Sequence, residues 1–140
     1  MRILVDTNVV LDFIKLREPF YECSAAVLLA CRDRVVHGVI AAHSIADMFF
    51  ILRRDFSADE RRQILLKVCQ IMDVEAIDKE KLIYALANMN FSDFEDCLQA
   101  ECAVSCAADY IVTRNVKDYK AIVLALSIDK IFQSAFSHGD

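Results

Sequence analysis

Arg2-Ile3-Leu4-Val5-Asp6-Thr7-Asn8 is a run of β-favouring residues that passes directly into three side chains suited to turns and helix caps. It reads as strand, turn, helix. Asp6 then falls just past the carboxyl end of a strand, where ligands bind in open parallel sheets. Taken alone, an Asp in this place is first a helix cap.

Outward from this stretch, strands and helices alternate. Beyond Glu18-Pro19, residues 21–34 place Ala25, Leu28, Leu29 and Arg32 at helical spacing, and 35–41 reads as a second strand. Ser44 is placed to cap a helix through Asp47 to Arg54, and Ser57 or Asp59 to cap another running to about Cys69, the two forming a helical hairpin. A short strand over 73–76, helices over 78–88 and 93–107, and the strand Tyr110-Ile111-Val112-Thr113 continue the pattern. The expectation is an α/β fold with a short, mostly parallel central sheet flanked by helices. A last strand within 121–126 and a terminal helix over 127–136 complete it.

With 140 residues, 56% of them hydrophobic, two glycines and one proline, the chain has material for one core and little for linkers. A single domain over 1–140 is expected. The longest uncharged stretch, 35–46, is shorter than the roughly 18 apolar residues a membrane span needs. Three apolar residues before Asp6 leave no room for a secretory h-region, so the expected location is the cytoplasm. The six cysteines lie in apolar helical segments and read as reduced core residues; Cys102 and Cys106 share a helix face without zinc-like spacing. A net charge of −5 excludes general binding of nucleic acid by a basic surface, so any such contact is local.

The chemistry lies in the carboxylates. Asp47 precedes Met48-Phe49-Phe50-Ile51-Leu52, whose apolar character implies a mostly buried helix in which an unpaired carboxylate is costly without a cation. Asn90-Phe91-Ser92-Asp93-Phe94-Glu95-Asp96 puts three acids at a helix start, where capping accounts for Asp93 and Glu95. Asp96 shares a face with Ala100, Ala103 and Ala107, small residues that let the helix approach the sheet and carry Asp96 toward the cleft. Thr113-Arg114-Asn115-Val116-Lys117-Asp118-Tyr119 leaves the fourth strand with a hydroxyl, an amide and a carboxylate in succession; its bland reading is an ordinary polar loop. Carboxylates suit Mg2+ or Mn2+, hard cations that take oxygen ligands and keep several waters. Such ions activate water and neutralise phosphate charge without a covalent nucleophile.

Together, Leu4-Val5-Asp6-Thr7-Asn8-Val9-Val10-Leu11-Asp12, Ser44-Ile45-Ala46-Asp47, Asp93-Phe94-Glu95-Asp96-Cys97-Leu98-Gln99 and Ile111-Val112-Thr113-Arg114-Asn115-Val116-Lys117-Asp118-Tyr119 resemble a PIN domain in order and spacing. The resemblance implies a three-layer PIN-like fold. It also implies metal ligands at Asp6, Asp47, Asp96, Asn115 and Asp118, the four aspartates being catalytic, with Asp93 accessory. Thr7, Asn8, Asp93, Thr113 and Arg114 are the expected substrate contacts. Two departures stand out: the second acid of the family is more often Glu than Asp47, and Asn115 stands where many members have Asp. The implied activity is Mg2+- or Mn2+-dependent endoribonuclease, often the toxin of a bacterial toxin–antitoxin pair of the VapC type. Such a toxin is a homodimer acting on RNA and inhibited by an antitoxin protein.

Arg53, Arg54, Arg61 and Arg62 cluster around the expected hairpin, with Arg114, Lys117 and Lys120 near the acids, as candidate phosphate contacts. For Arg61 and Arg62 a solvated helix face is the preferred reading. Two other functions compete. Transfer through an aspartyl-phosphate would use a second acid two residues after Asp6, where the chain has Asn8. A PIN fold that binds RNA or protein without cutting is the main alternative, because fold does not establish activity.

Overall fold

A computed structural model describes residues 1–89, 93–114 and 125–126, the last two by backbone only. In chain order these form β1 (Arg2–Val5), α1 (Thr7–Ile14), α2 (Tyr21–Arg32), β2 (His37–Ala41), α3 (Ala42–Ile51), a 3-10 turn (Leu52–Arg54), α4 (Ala58–Ile71), β3 (Asp73–Glu75), α5 (Lys79–Ala87), α6 (Phe94–Ser105), β4 (Tyr110–Val112) and β5 (Ala125–Leu126). All strand pairs are parallel, in the order β3-β2-β1-β4-β5.

β1 is the middle strand, with Leu4 paired to Val39 on one side and Ile111 on the other. Ile3, Leu4 and Val5 have no exposed surface, the burial on both faces that makes such a strand continuously apolar. On one face Ile3, Val5, Ile40 and Val112 pack with residues of α1, α2, α3 and α4; on the other Leu4, Val39, Ala41 and Ile111 meet Ala100, Cys102 and Ala103 of α6. Helices, sheet and helix make three layers. The strand order reverses between β1 and β4, so the crevice past their carboxyl ends is the topological switch point.

Several expectations are corrected. Ser44 does not cap α3: the helix starts at Ala42 with Ala41 in the cap position, and Ser44 lies fully buried in its first turn. Nor is α3 buried all round, since Phe50 is 61% exposed and Asp47 is half-buried. A helix can be apolar in sequence and still leave one face exposed. The sixth helix stops at Ser105, before Ala107, whose φ of 56° is left-handed and incompatible with continuation. Ser57, by contrast, caps α4 in a reciprocal capping box with Glu60.

No disulfide joins the six cysteines; Cys31, Cys97 and Cys102 are buried, while Cys69 is exposed rather than in the core. Burial pushes the Cys31 thiol up to about 12 and is the main cause raising Cys102 to about 11, so both stay protonated and inert. Among the described residues no helix is long and apolar enough to cross a membrane. Strand 125–126 falls within the expected last strand; the rest of that segment and the helix expected over 127–136 lie outside the described residues.

Candidate active site

Asp6 is held at the switch point from two directions. Its backbone N–H donates to Val112 O at 3.0 Å, and its Oδ2 accepts from Thr113 Oγ1 at 2.8 Å. It occupies the N-cap position of α1 with extended backbone, yet its carboxylate makes no capping hydrogen bond. The helix-cap reading therefore fails for the side chain: geometry presents the acid to the crevice and Thr113, fully buried, fixes it there.

Next to it lies a buried polar node. Thr7 Oγ1 donates to Ser44 Oγ at 2.7 Å, and Gln99 Nε2 donates to Thr7 Oγ1 at 3.2 Å and to Ser44 Oγ at 3.1 Å. The node joins α1, α3 and α6, the three helices that bring acids to the crevice.

These acids line one cavity of about 330 Å3: Asp6 after β1, Asp47 on α3, and Asp93, Glu95 and Asp96 at the start of α6. Thr7, Asn8 and Gln99 contribute the neutral polar lining. Asp93 is partly committed, since its side chain caps α6 by accepting from Asp96 N at 3.1 Å. Glu95 is pushed up to about 7, first by desolvation, then by its hydrogen bond with Asp47 and the charges of Asp47, Asp93 and Asp96. Below neutral pH the carboxyl therefore keeps its proton more readily than an ordinary glutamate, which eases the crowding of negative charge. Two larger hollows, about 690 Å3 beside α5 and about 620 Å3 between α3 and α4, have no comparable convergence of acids.

Oxygen donors of this kind match Mg2+ or Mn2+, and the described residues of the cavity lining include no basic side chain. Among the described residues no group of three or more His, Cys, Asp or Glu forms a ready-made metal site. A divalent cation of this class keeps several waters and needs only a few carboxylates. Asp6, Asp47 and Asp96 are the residues that would hold it.

Of the residues singled out from sequence, Asp6, Thr7, Asn8, Asp47, Asp93 and Asp96 meet at this cavity, with Thr113 directly behind Asp6. Asn115 and Asp118, with Lys117 and Lys120, lie outside the described residues. Arg114 stacks over the Phe20 ring at 4.2 Å and places Nε 2.9 Å from Asp12 Oδ2. Arg61 is not on a solvated face: its guanidinium lies over Phe49 at 4.2 Å and donates to Phe49 O at 2.7 Å, joining α4 to α3.

Sequence reasoning missed Glu95 as a cavity residue, Gln99, and the fully buried Asp12. The signal for Asp12 was present, a carboxylate between Val9-Val10-Leu11 and Phe13-Ile14, to which the desolvation argument made for Asp47 applies with greater force.

A three-layer α/β protein with an acid-lined cavity at its switch point is the class that fold and site define. The chain belongs to the PIN domain family, whose sequence profile matches residues 2–117. Among solved structures it is similar to VapBC2 from Rickettsia felis bound to a DNA fragment from their promoter, at 16% identity over 91% of this chain and 98% of that one, TM-score 0.66. VapBC-1 from nontypeable Haemophilus influenzae is similar at 15% identity over 92% and 99%, TM-score 0.66. FitAcB from Neisseria gonorrhoeae matches at 16% over 90% and 97%, TM-score 0.64. No curated protein matches the chain in sequence.

Proposed function

We propose that this chain is a Mg2+- or Mn2+-dependent endoribonuclease, the toxin of a toxin–antitoxin pair, acting as a cytoplasmic homodimer. The observation that carries the reading is the convergence of Asp6, Asp47 and Asp96, far apart in sequence, on one cavity at the switch point. The similarity to the VapBC and FitAcB structures supports the toxin part of it.

When bound, a divalent cation supplies an activated water and charge neutralisation at the phosphate. The chain's part is positioning. Thr113 holds Oδ2 of Asp6 at the cavity wall. Asp93 secures the first turn of α6 and thereby the backbone that carries Asp96. Asn8 and Thr7 offer neutral polar groups on the wall a sugar or phosphate would approach, and Asn115 and Asp118, which follow β4 in sequence, are proposed as further ligands.

Asp6→Asn and Asp96→Asn test the assignment when RNA cleavage and RNA binding are measured side by side. Loss of cleavage by at least about 100-fold, the scale on which removal of a charge-stabilising group acts, with binding retained supports the nuclease. Unchanged behaviour in both variants favours a PIN fold that binds RNA or protein without cutting.

A further inference from the structure

Gln99 is 3% exposed and lines the acid cavity, an unusual place for a long amide on the buried face of α6. Its neighbours on that helix, Leu98, Ala100, Cys102 and Ala103, are buried apolar or small residues, so packing alone does not call for an amide here. Nε2 spans the Thr7 and Ser44 hydroxyls, at 3.2 and 3.1 Å. Oε1 is buried with no hydrogen-bond partner among the described residues. An unpaired buried acceptor is costly, and it persists where a ligand or ordered water completes it.

The three residues tie together the places from which the acids project. Thr7 follows Asp6, Ser44 is one helical turn before Asp47, and Gln99 is three residues after Asp96. A shift of any one helix start relative to the others would change the spacing of the acids across the cavity.

We infer that Gln99 is a positioning residue: it sets the separation of Asp6, Asp47 and Asp96 by bridging Thr7 and Ser44, and its free Oε1 accepts from a water held at the cation site. This rests on the reading of the cavity as a divalent-cation site. Residues that orient metal ligands without touching the metal alter affinity by about 10–100-fold when changed.

The test is Mn2+ titration followed by electron paramagnetic resonance on wild type, Gln99→Met, Ser44→Ala and the double variant, with metal-free melting of each. Met preserves length and apolar bulk while removing the amide. The expected result is Mn2+ binding weakened about 10-fold in Gln99→Met, with metal-free melting close to wild type. Ser44→Ala is expected to weaken binding in the same direction, and the double variant to be no weaker than Gln99→Met, because both act through one network. Wild-type affinity in Gln99→Met, or effects that multiply in the double variant, would overturn the inference and leave the cation site standing. Should Gln99→Met fail to fold, wild-type affinity in Ser44→Ala overturns it equally. Wild type that binds no Mn2+ removes the cation site and this inference together.

Discussion

Asp12 has no exposed surface and faces Arg114 Nε at 2.9 Å and Arg17 Nη1 at 3.6 Å. Removing one member of a buried ion pair strands the others, so Asp12→Asn is expected to cost about 3 kcal/mol, the low end for such changes because both arginines keep partial exposure. Urea unfolding measures it, and a loss below about 1 kcal/mol would show that the pair is no more than a surface bridge. Glu95 makes a different prediction. Its folded pKa, about 7, lies above the ordinary 4.5, so the stability linked to its proton is present below pH 4.5 and is lost as pH rises through 7. Metal-free protein is therefore expected to lose melting temperature over that window, and Glu95→Gln to remove that component of the loss. A matching slope in wild type and variant would refute it. Asp6 and Glu95 show why the site was only partly readable from sequence. Asp6 was legible because a strand end announces its position, whereas Glu95 looked like a helix-start acid until the fold set Asp47 beside it.

The elements themselves were largely legible, because each start or stop has a local cause. Ser57 announces α4 through its capping box, and Ser57→Ala is expected to cost about 1 kcal/mol in thermal or urea unfolding. Ser44 misled for the same reason: its residue type suits a cap, but the node with Thr7 and Gln99 depends on contacts 37 and 55 residues away. Gly38 in β2 is another long-range requirement. A Cβ there would lie 2.5 Å from Cys31 Sγ and 2.9 Å from Met72 Cγ, so Gly38→Ala is expected to destabilise by about 1–3 kcal/mol as α2 and the approach to β3 are forced outward. A neutral effect would mean that Cys31 and Met72 can repack without cost. Periodicity gives a helix, not which of its apolar residues stay exposed, which is why the exposure of Phe50 on α3 was not foreseen.

At the scale of the molecule, a chain of net charge −5 gathers five carboxylates at one crevice. Self-repulsion of this kind lowers stability until a cation offsets it. Mg2+ or Mn2+ is expected to raise the melting temperature, and by more at pH 8 than at pH 5, because protonated Glu95 competes with the cation for the same negative charge. Equal melting with and without metal at both pH values would contradict this. The sheet order that creates the crevice was only partly foreseen: alternation predicted parallel strands, but the placement of β1 beside β4 rests on pairings more than 100 residues apart, such as Ile3 with Tyr110. The most direct test of the account is cleavage of a mixed RNA by the purified protein with Mn2+ and with EDTA. Cutting that requires Mn2+ and stops on chelation is the predicted result; equal cutting in EDTA, or none in either, would contradict a metal-dependent nuclease.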